Sequence, residues 1–141
     1  MAVEITEIKP KSQGEVDSLC SVIRRFMGKF GDSLQETEEA VRNAAQQGFI
    51  LQAIHGGERV ALAVVTRSPF EDFQPSYHLA YICVKPGRSR NGYGRRLIEA
   101  LRSRIGADFS LHVAPDNDAA LAFYRDAGLK VKYLRMMHKE K

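Results

Sequence analysis

Apolar positions along the chain change period several times, and each change predicts an element. Val3, Ile5 and Ile8 stand among polar residues in the manner of a first strand, closed by Pro10. From Glu15 to Phe30 the residues Val16, Leu19, Val22, Ile23, Phe26 and Phe30 recur three and four apart, which is one face of an amphipathic helix. A second helix is predicted from Glu36 to Gln47, stopped by Gly48, with Ala40, Val41, Ala44 and Ala45 as a small apolar face. Phe49 to His55 and Arg59 to Arg67 read as an antiparallel hairpin through Gly56-Gly57, a dipeptide that accepts the positive dihedrals of a tight turn. Ser68 to Ser76, with two prolines and two acids, reads as a surface loop.

The stretch Tyr77 to Leu97 carries the most chemistry. An apolar strand (Leu79 to Val84) breaks at Lys85-Pro86-Gly87, runs through a basic loop, and enters a helix predicted from Tyr93 to Ile105, with Leu97, Ile98, Leu101 and Ile105 inward. A strand that passes through such a loop into a helix aims unpaired backbone N–H groups and the positive end of the helix dipole at one point. Arg88, Arg90, Arg95 and Arg96 surround that point, and Gly92 and Gly94 keep side chains away from it. An anion is the expected guest, and a pyrophosphate fits the size of the cradle. Phe109 to Val113 then reads as a short strand, broken at Pro115. Asp116, Asn117 and Asp118 are all capable N-caps for a helix from Ala119 to Ala127 that Gly128 ends, and Leu129 to His138 is expected to be a final strand. The resulting order predicts an α/β or α+β fold with helices on a mixed sheet.

With 141 residues, 44% hydrophobic content and no evident linker, the chain is expected to be one domain, residues 1–141. No run approaches the roughly 18 apolar residues of a membrane span, and the opening residues lack a signal-like pattern, so the expectation is a cytoplasmic protein with no membrane partner. Cys83 reads as a small buried thiol, and the four histidines are scattered without a cysteine at ligand spacing, so no metal is expected. The net charge of +4 is concentrated in residues 85–104 and at the C-terminal end, whereas Glu36, Glu38, Glu39, Glu71 and Asp72 form acidic spots. A basic nucleic-acid-binding domain is disfavoured, because Tyr93 is the only aromatic residue interleaved with the basic run. One anionic and one cationic ligand suit this surface better.

Two motifs together resemble the GNAT superfamily of N-acetyltransferases. The superfamily's pyrophosphate loop, Gln/Arg-x-x-Gly-x-Gly/Ala after the fourth strand, is matched by Ser89-Arg90-Asn91-Gly92-Tyr93-Gly94, with Ser89 departing from the Gln/Arg position. Its later motif, Asn-x-x-Ala-x-x-x-Tyr-x-x-x-Gly-Phe, is matched at every spacing by Asn117, Ala120, Tyr124 and Gly128, with Leu129 in place of the final Phe. The resemblance covers nearly the whole chain. It implies a mixed, mostly antiparallel sheet of six to seven strands flanked by about four helices, and acetyl-CoA as cosubstrate without a metal.

The resemblance also implies site residues. Arg88, Ser89, Arg90, Asn91, Gly92, Tyr93, Gly94 and Arg95 would form the pyrophosphate loop, and Ile82, Cys83 and Val84 would pair with the pantetheine arm, an amide of residue 82 or 83 stabilising the oxyanion. Tyr124 would stand beside the coenzyme sulfur as a hydrogen-bond donor, and Asn117 would bond to the arm, to cap its helix, or both. The base that frees the amine is open between His78, the acids Glu71 and Asp72, and water, while Tyr81 is a candidate wall of the acceptor site and His112 reads as structural. The implied reaction is direct attack of a primary amine, from a small molecule or a peptide, in a ternary complex, and the implied assembly includes a homodimer through sheet edges or the C-terminal strand. The competing reading is a catalytically silent acyl-CoA-binding module, kept open by the lack of an unmistakable carboxylate on the fourth strand.

Overall fold

The computed structural model describes residues 2–140. Its elements in chain order are β1 (Val3–Ile8), α1 (Gln13–Met27), a 3-10 turn (Gly28–Phe30), α2 (Leu34–Gln46), β2 (Phe49–His55), β3 (Glu58–Arg67), β4 (Tyr77–Val84), α3 (Tyr93–Ile105), β5 (Phe109–Leu111) and α4 (Asp118–Asp126). The five strands lie side by side in sequence order, antiparallel except for the parallel pair β4 and β5. The mixed, mostly antiparallel sheet with four α-helices agrees with the expected class. No helix among the described residues is long and apolar enough to cross a membrane.

Both faces of the sheet are covered. On one, Val16, Leu19 and Ile23 of α1 and Val41 and Ala44 of α2 pack on Ile50, Leu62, Val64, Tyr81 and Cys83. On the other, Leu97, Ile98 and Leu101 of α3 pack on Phe49, Leu51, Ala63, Val65 and Leu79. The middle strand β3 therefore buries Val60 through Val65 without a break, where a one-sided strand would alternate. Each fully buried aliphatic side chain stabilises the fold by roughly 1.5–3 kcal/mol.

Three expectations are corrected. Helix α2 begins at Leu34 instead of Glu36, because Ser33 caps it: the Ser33 hydroxyl accepts from Glu36 N and the Glu36 carboxylate accepts from Ser33 N, both at 3.1 Å. Strand β5 ends at Leu111 instead of Val113, leaving His112 and Val113 outside the ladder. The expected final strand, Leu129 to His138, is irregular, so the described sheet has five strands, not six or seven. Paired apolar neighbours, Tyr133-Leu134 and Met136-Met137, break the alternation that a half-buried strand requires. These four side chains and Val131 are exposed.

Candidate active site

Strands β4 and β5 are joined by only three pairs, Tyr77 with Phe109, His78 with Ser110 and Leu79 with Leu111. Strand β4 continues on β3 to Val84, so residues 80–84 turn an unpaired backbone edge toward the place where β5 has ended. A cavity of about 590 Å³ fills that opening. Its walls are Ile82, Cys83 and Val84, the segment His112 to Ala114 that leaves β5, and Asn117, Ala120 and Tyr124 around α4. Phe26, Met27 and Phe30 close it from the α1 side. The helical spacing of Phe26 and Phe30 in the sequence spoke only for a buried face, and nothing in it distinguished a core contact from a cavity wall.

The loop 88–92 forms one end of the cavity. Arg90 and Gly92 have positive φ angles, 69° and 78°, and Asn91 Nδ2 donates to the carbonyls of Arg88 (2.8 Å) and Ser89 (3.3 Å), curling the backbone tightly. The first helical bond of α3 runs from Arg96 N to Gly92 O, and no side chain caps the helix. The N–H groups of Tyr93, Gly94 and Arg95 thus lack partners within the helix and stand at the cavity wall with the positive end of its dipole. A Cβ on Gly92 would meet nothing within 4 Å, so the space beside it is open for an anion. These features fit a pyrophosphate.

Other loop residues have different tasks from those their positions suggested. Gly94 permits helix packing: a Cβ there would come within 3.1 Å of the Phe123 ring of α4. The Tyr93 side chain is buried in the core, where its hydroxyl meets His55 Nδ1 at 2.6 Å, so only its backbone serves the cavity. Arg88 lines the cavity but also pairs with Glu58 at 2.5 Å, and Lys85 pairs with the same carboxylate. Arg90, Ser89 and Arg95 line the cavity too.

Tyr124 and Cys83 both lie in the wall. Burial, with a smaller effect of Cys83, pushes the Tyr124 phenol up to about 12, and burial pushes the Cys83 thiol up to about 12. Both therefore stay protonated near neutrality, Tyr124 as a donor and Cys83 as a weak nucleophile. Asn117 is both a cavity residue and the N-cap of α4, its Oδ1 accepting from Ala120 N at 3.2 Å, which leaves its amide hydrogens for a guest.

The candidate bases separate. His78 is not in the cavity wall; its Nδ1 is 2.9 Å from Ser110 Oγ, and burial, aided by His112 and Arg135, lowers its pKa to about 4. His112 is in the wall and packs on His78 with ring centroids 4.6 Å apart. Its register with the ladder is lost because β5 ends one residue before it, a boundary that periodicity does not resolve. Glu71 and Asp72 are exposed in the loop before β4 and do not line the cavity. Tyr81 is buried on the α1 and α2 side, donating to Asp32 Oδ2 at 2.6 Å, with Thr37 Oγ1 3.5 Å from its hydroxyl. Asp32, in the connection between α1 and α2, did not stand out in the sequence.

The sequence profile of the Acetyltransferase (GNAT) family matches residues 17–129, and the chain belongs to that family. It is 37% identical over 97 residues, 65% of its length, to the N-alpha-acetyltransferase RimI of Mycobacterium tuberculosis, and the match spans 58% of that relative. Among solved structures, a Desulfovibrio desulfuricans protein assigned to the GNAT acetyltransferases superposes with a TM-score of 0.72 at 18% identity, covering 94% of this chain and 87% of that one. An aminoglycoside N-acetyltransferase in complex with CoA gives 0.69 at 15% identity, with 99% and 95% coverage.

Proposed function

We propose that this chain is one acetyl-CoA-dependent N-acetyltransferase domain that acts on a primary amine carried by a small molecule or a peptide. The observation that supports it most is the opening between β4 and β5, which joins an unpaired strand edge, an uncapped helix start and Tyr124 in one cavity. The RimI relative acts on alpha-amino groups by name and the aminoglycoside enzyme on an amine-bearing antibiotic class, so the acceptor is an amine in both.

Bound acetyl-CoA supplies an activated acyl group and a thiolate leaving group. The α3 start and the loop 88–92 hold its pyrophosphate through backbone N–H groups, with Arg90 and Arg95 adding charge. The free edge of residues 80–84 aligns the pantetheine arm as an added strand would, and an amide there donates to the acyl oxygen. Tyr124 donates a hydrogen bond to the departing sulfur. Full proton transfer from a phenol near 12 to a thiolate of reference pKa about 8.5 is uphill by roughly 5 kcal/mol, so its part is hydrogen bonding and not early transfer. Phe26 and Phe30 give the cavity an apolar wall on the α1 side.

The test is free-thiol release from acetyl-CoA across a panel of primary amines, with a thermal shift by acetyl-CoA in parallel. Stabilisation with amine-dependent thiol release supports the enzyme. Stabilisation without release from any amine supports the silent module, which one observation favours: no Asp or Glu is among the cavity-lining residues. Stabilisation by an oligonucleotide in place of acetyl-CoA would overturn both.

A further inference from the structure

The segment from Lys85 to Tyr93, which carries the anion end of the cavity, is gripped at both ends by one tight turn of the sheet. Strands β2 and β3 are joined by Gly56 and Gly57 alone, with φ angles of 62° and 77°, so His55 and Glu58 face each other as the last pair of that ladder. His55 is also paired with Val3 of β1, which holds its backbone from the other side. At the entry of the segment, Lys85 N donates to Val60 O at 2.8 Å, and the Lys85 and Arg88 side chains both pair with the Glu58 carboxylate. At its exit, the Tyr93 hydroxyl lies 2.6 Å from His55 Nδ1, and the two rings meet edge to face with centroids 5.7 Å apart.

The two grips are unequal. The entry has a backbone bond and two ion pairs, whereas the exit depends on one bond between side chains. Tyr93 is only 2% exposed, and among the described residues His55 is the one partner of its hydroxyl. A buried hydroxyl that loses its partner costs free energy until it turns toward water, and turning Tyr93 shifts the first residue of α3. The N–H groups of Tyr93, Gly94 and Arg95 are the ones without helical partners at the cavity wall, so they move with it. His55 itself does not line the cavity.

We propose that His55 is a positioning residue for the coenzyme's pyrophosphate, fixing through the Tyr93 hydroxyl the direction of the N–H groups at the start of α3. The inference rests on the acetyl-CoA reading above. An anion held by backbone N–H groups needs several of them aimed at one point together, so a small rotation of the first turn weakens more than one bond. His55 thus sets coenzyme affinity from outside the cavity. The Glu58 grip keeps the other end of the segment still, which confines the effect of losing His55 to the α3 start.

Calorimetry with coenzyme A and amide hydrogen exchange on the full chain test this. His55→Phe keeps a ring against Tyr93 and removes the nitrogen, and it should weaken coenzyme A roughly tenfold. His55→Asn, whose side-chain amide replaces Nδ1, should stay within about threefold of the wild type. Tyr93→Phe removes the other half of the bond, so it should match His55→Phe, and the double variant should bind no more weakly than either single one. Without coenzyme, the Arg96 amide, which donates to Gly92 O at 3.1 Å, should exchange faster in His55→Phe while amides of the last turn of α3 keep their rates. Equal weakening by the Phe and Asn substitutions at His55, additive effects of His55→Phe and Tyr93→Phe, or faster exchange along all of α3 would each mark a merely structural contact and overturn the inference. If His55→Phe does not fold, Tyr93→Phe decides by the same measurements, and an affinity within about twofold of the wild type overturns the inference. A wild type that binds no coenzyme A would instead overturn the acetyl-CoA reading itself.

Discussion

Single residues in the cavity carry separable effects. Tyr124→Phe removes one donor and little volume, so turnover should fall by roughly 10²-fold while the affinity for coenzyme A stays within about twofold, as steady-state kinetics and calorimetry would show. His78 gives a stability signature instead. Its folded pKa of about 4 lies below its ordinary value of 6.5, so between these values the unfolded chain binds the extra proton. Stability should therefore be fully present above pH 6.5 and decline as the pH falls toward 4, by roughly 3 kcal/mol for this group. Urea titrations at pH 7 and pH 4.5 measure it, and His78→Asn should flatten the difference. Tyr124 was legible in the sequence because its spacing from Asn117 and Gly128 is a covalent property of the chain. His78 was read as the candidate base and His112 as structural, whereas His112 and not His78 lines the cavity, since which histidine reaches it depends on where β5 stops.

Among the elements, the loop entering α3 was read from its order of strand, basic turn and helix, and the structure has that order. What the order could not resolve is the division of labour between its two glycines. Gly92 has the positive φ and the open space, whereas Gly94 makes room for Phe123. Gly92→Ala should cost about 1–2 kcal/mol in backbone strain and weaken coenzyme A by roughly tenfold. Gly94→Ala should chiefly lower the melting temperature, because the colliding ring can swing aside, and equal loss of coenzyme A affinity in both variants would contradict the division. The C-terminal segment was misread for a physical reason: periodicity states which residues share a face but not whether an edge is present to pair with them. Strand β5 offers three residues of ladder, too short to template ten. The capping of α2 by Ser33 was overlooked because the helix was started from its acidic face.

At the scale of the whole molecule, alternation and glycine placement conveyed the layer order, since every strand from β1 to β4 is flanked by its own turn signal. The cavity was less legible, because it is made where a hydrogen-bonded pairing is missing, and absence of pairing leaves no periodic trace. Its residues come from the α1 side, β4, the loop into α3, the β5 exit and α4, and no local window contains them together. The three-pair junction between β4 and β5 has a mechanical side as well. Beyond Leu79 the two halves of the molecule, the antiparallel β1–β4 body and the β5–α4 end, are joined across the sheet by side-chain packing without backbone bonds, so the coenzyme would serve as the missing rungs. Hydrogen exchange with and without coenzyme A should then show slowing concentrated at residues 80–84 and 112–120, with the amides of β2 and β3 unchanged. A coenzyme bound there would be as much a structural strand as a reagent.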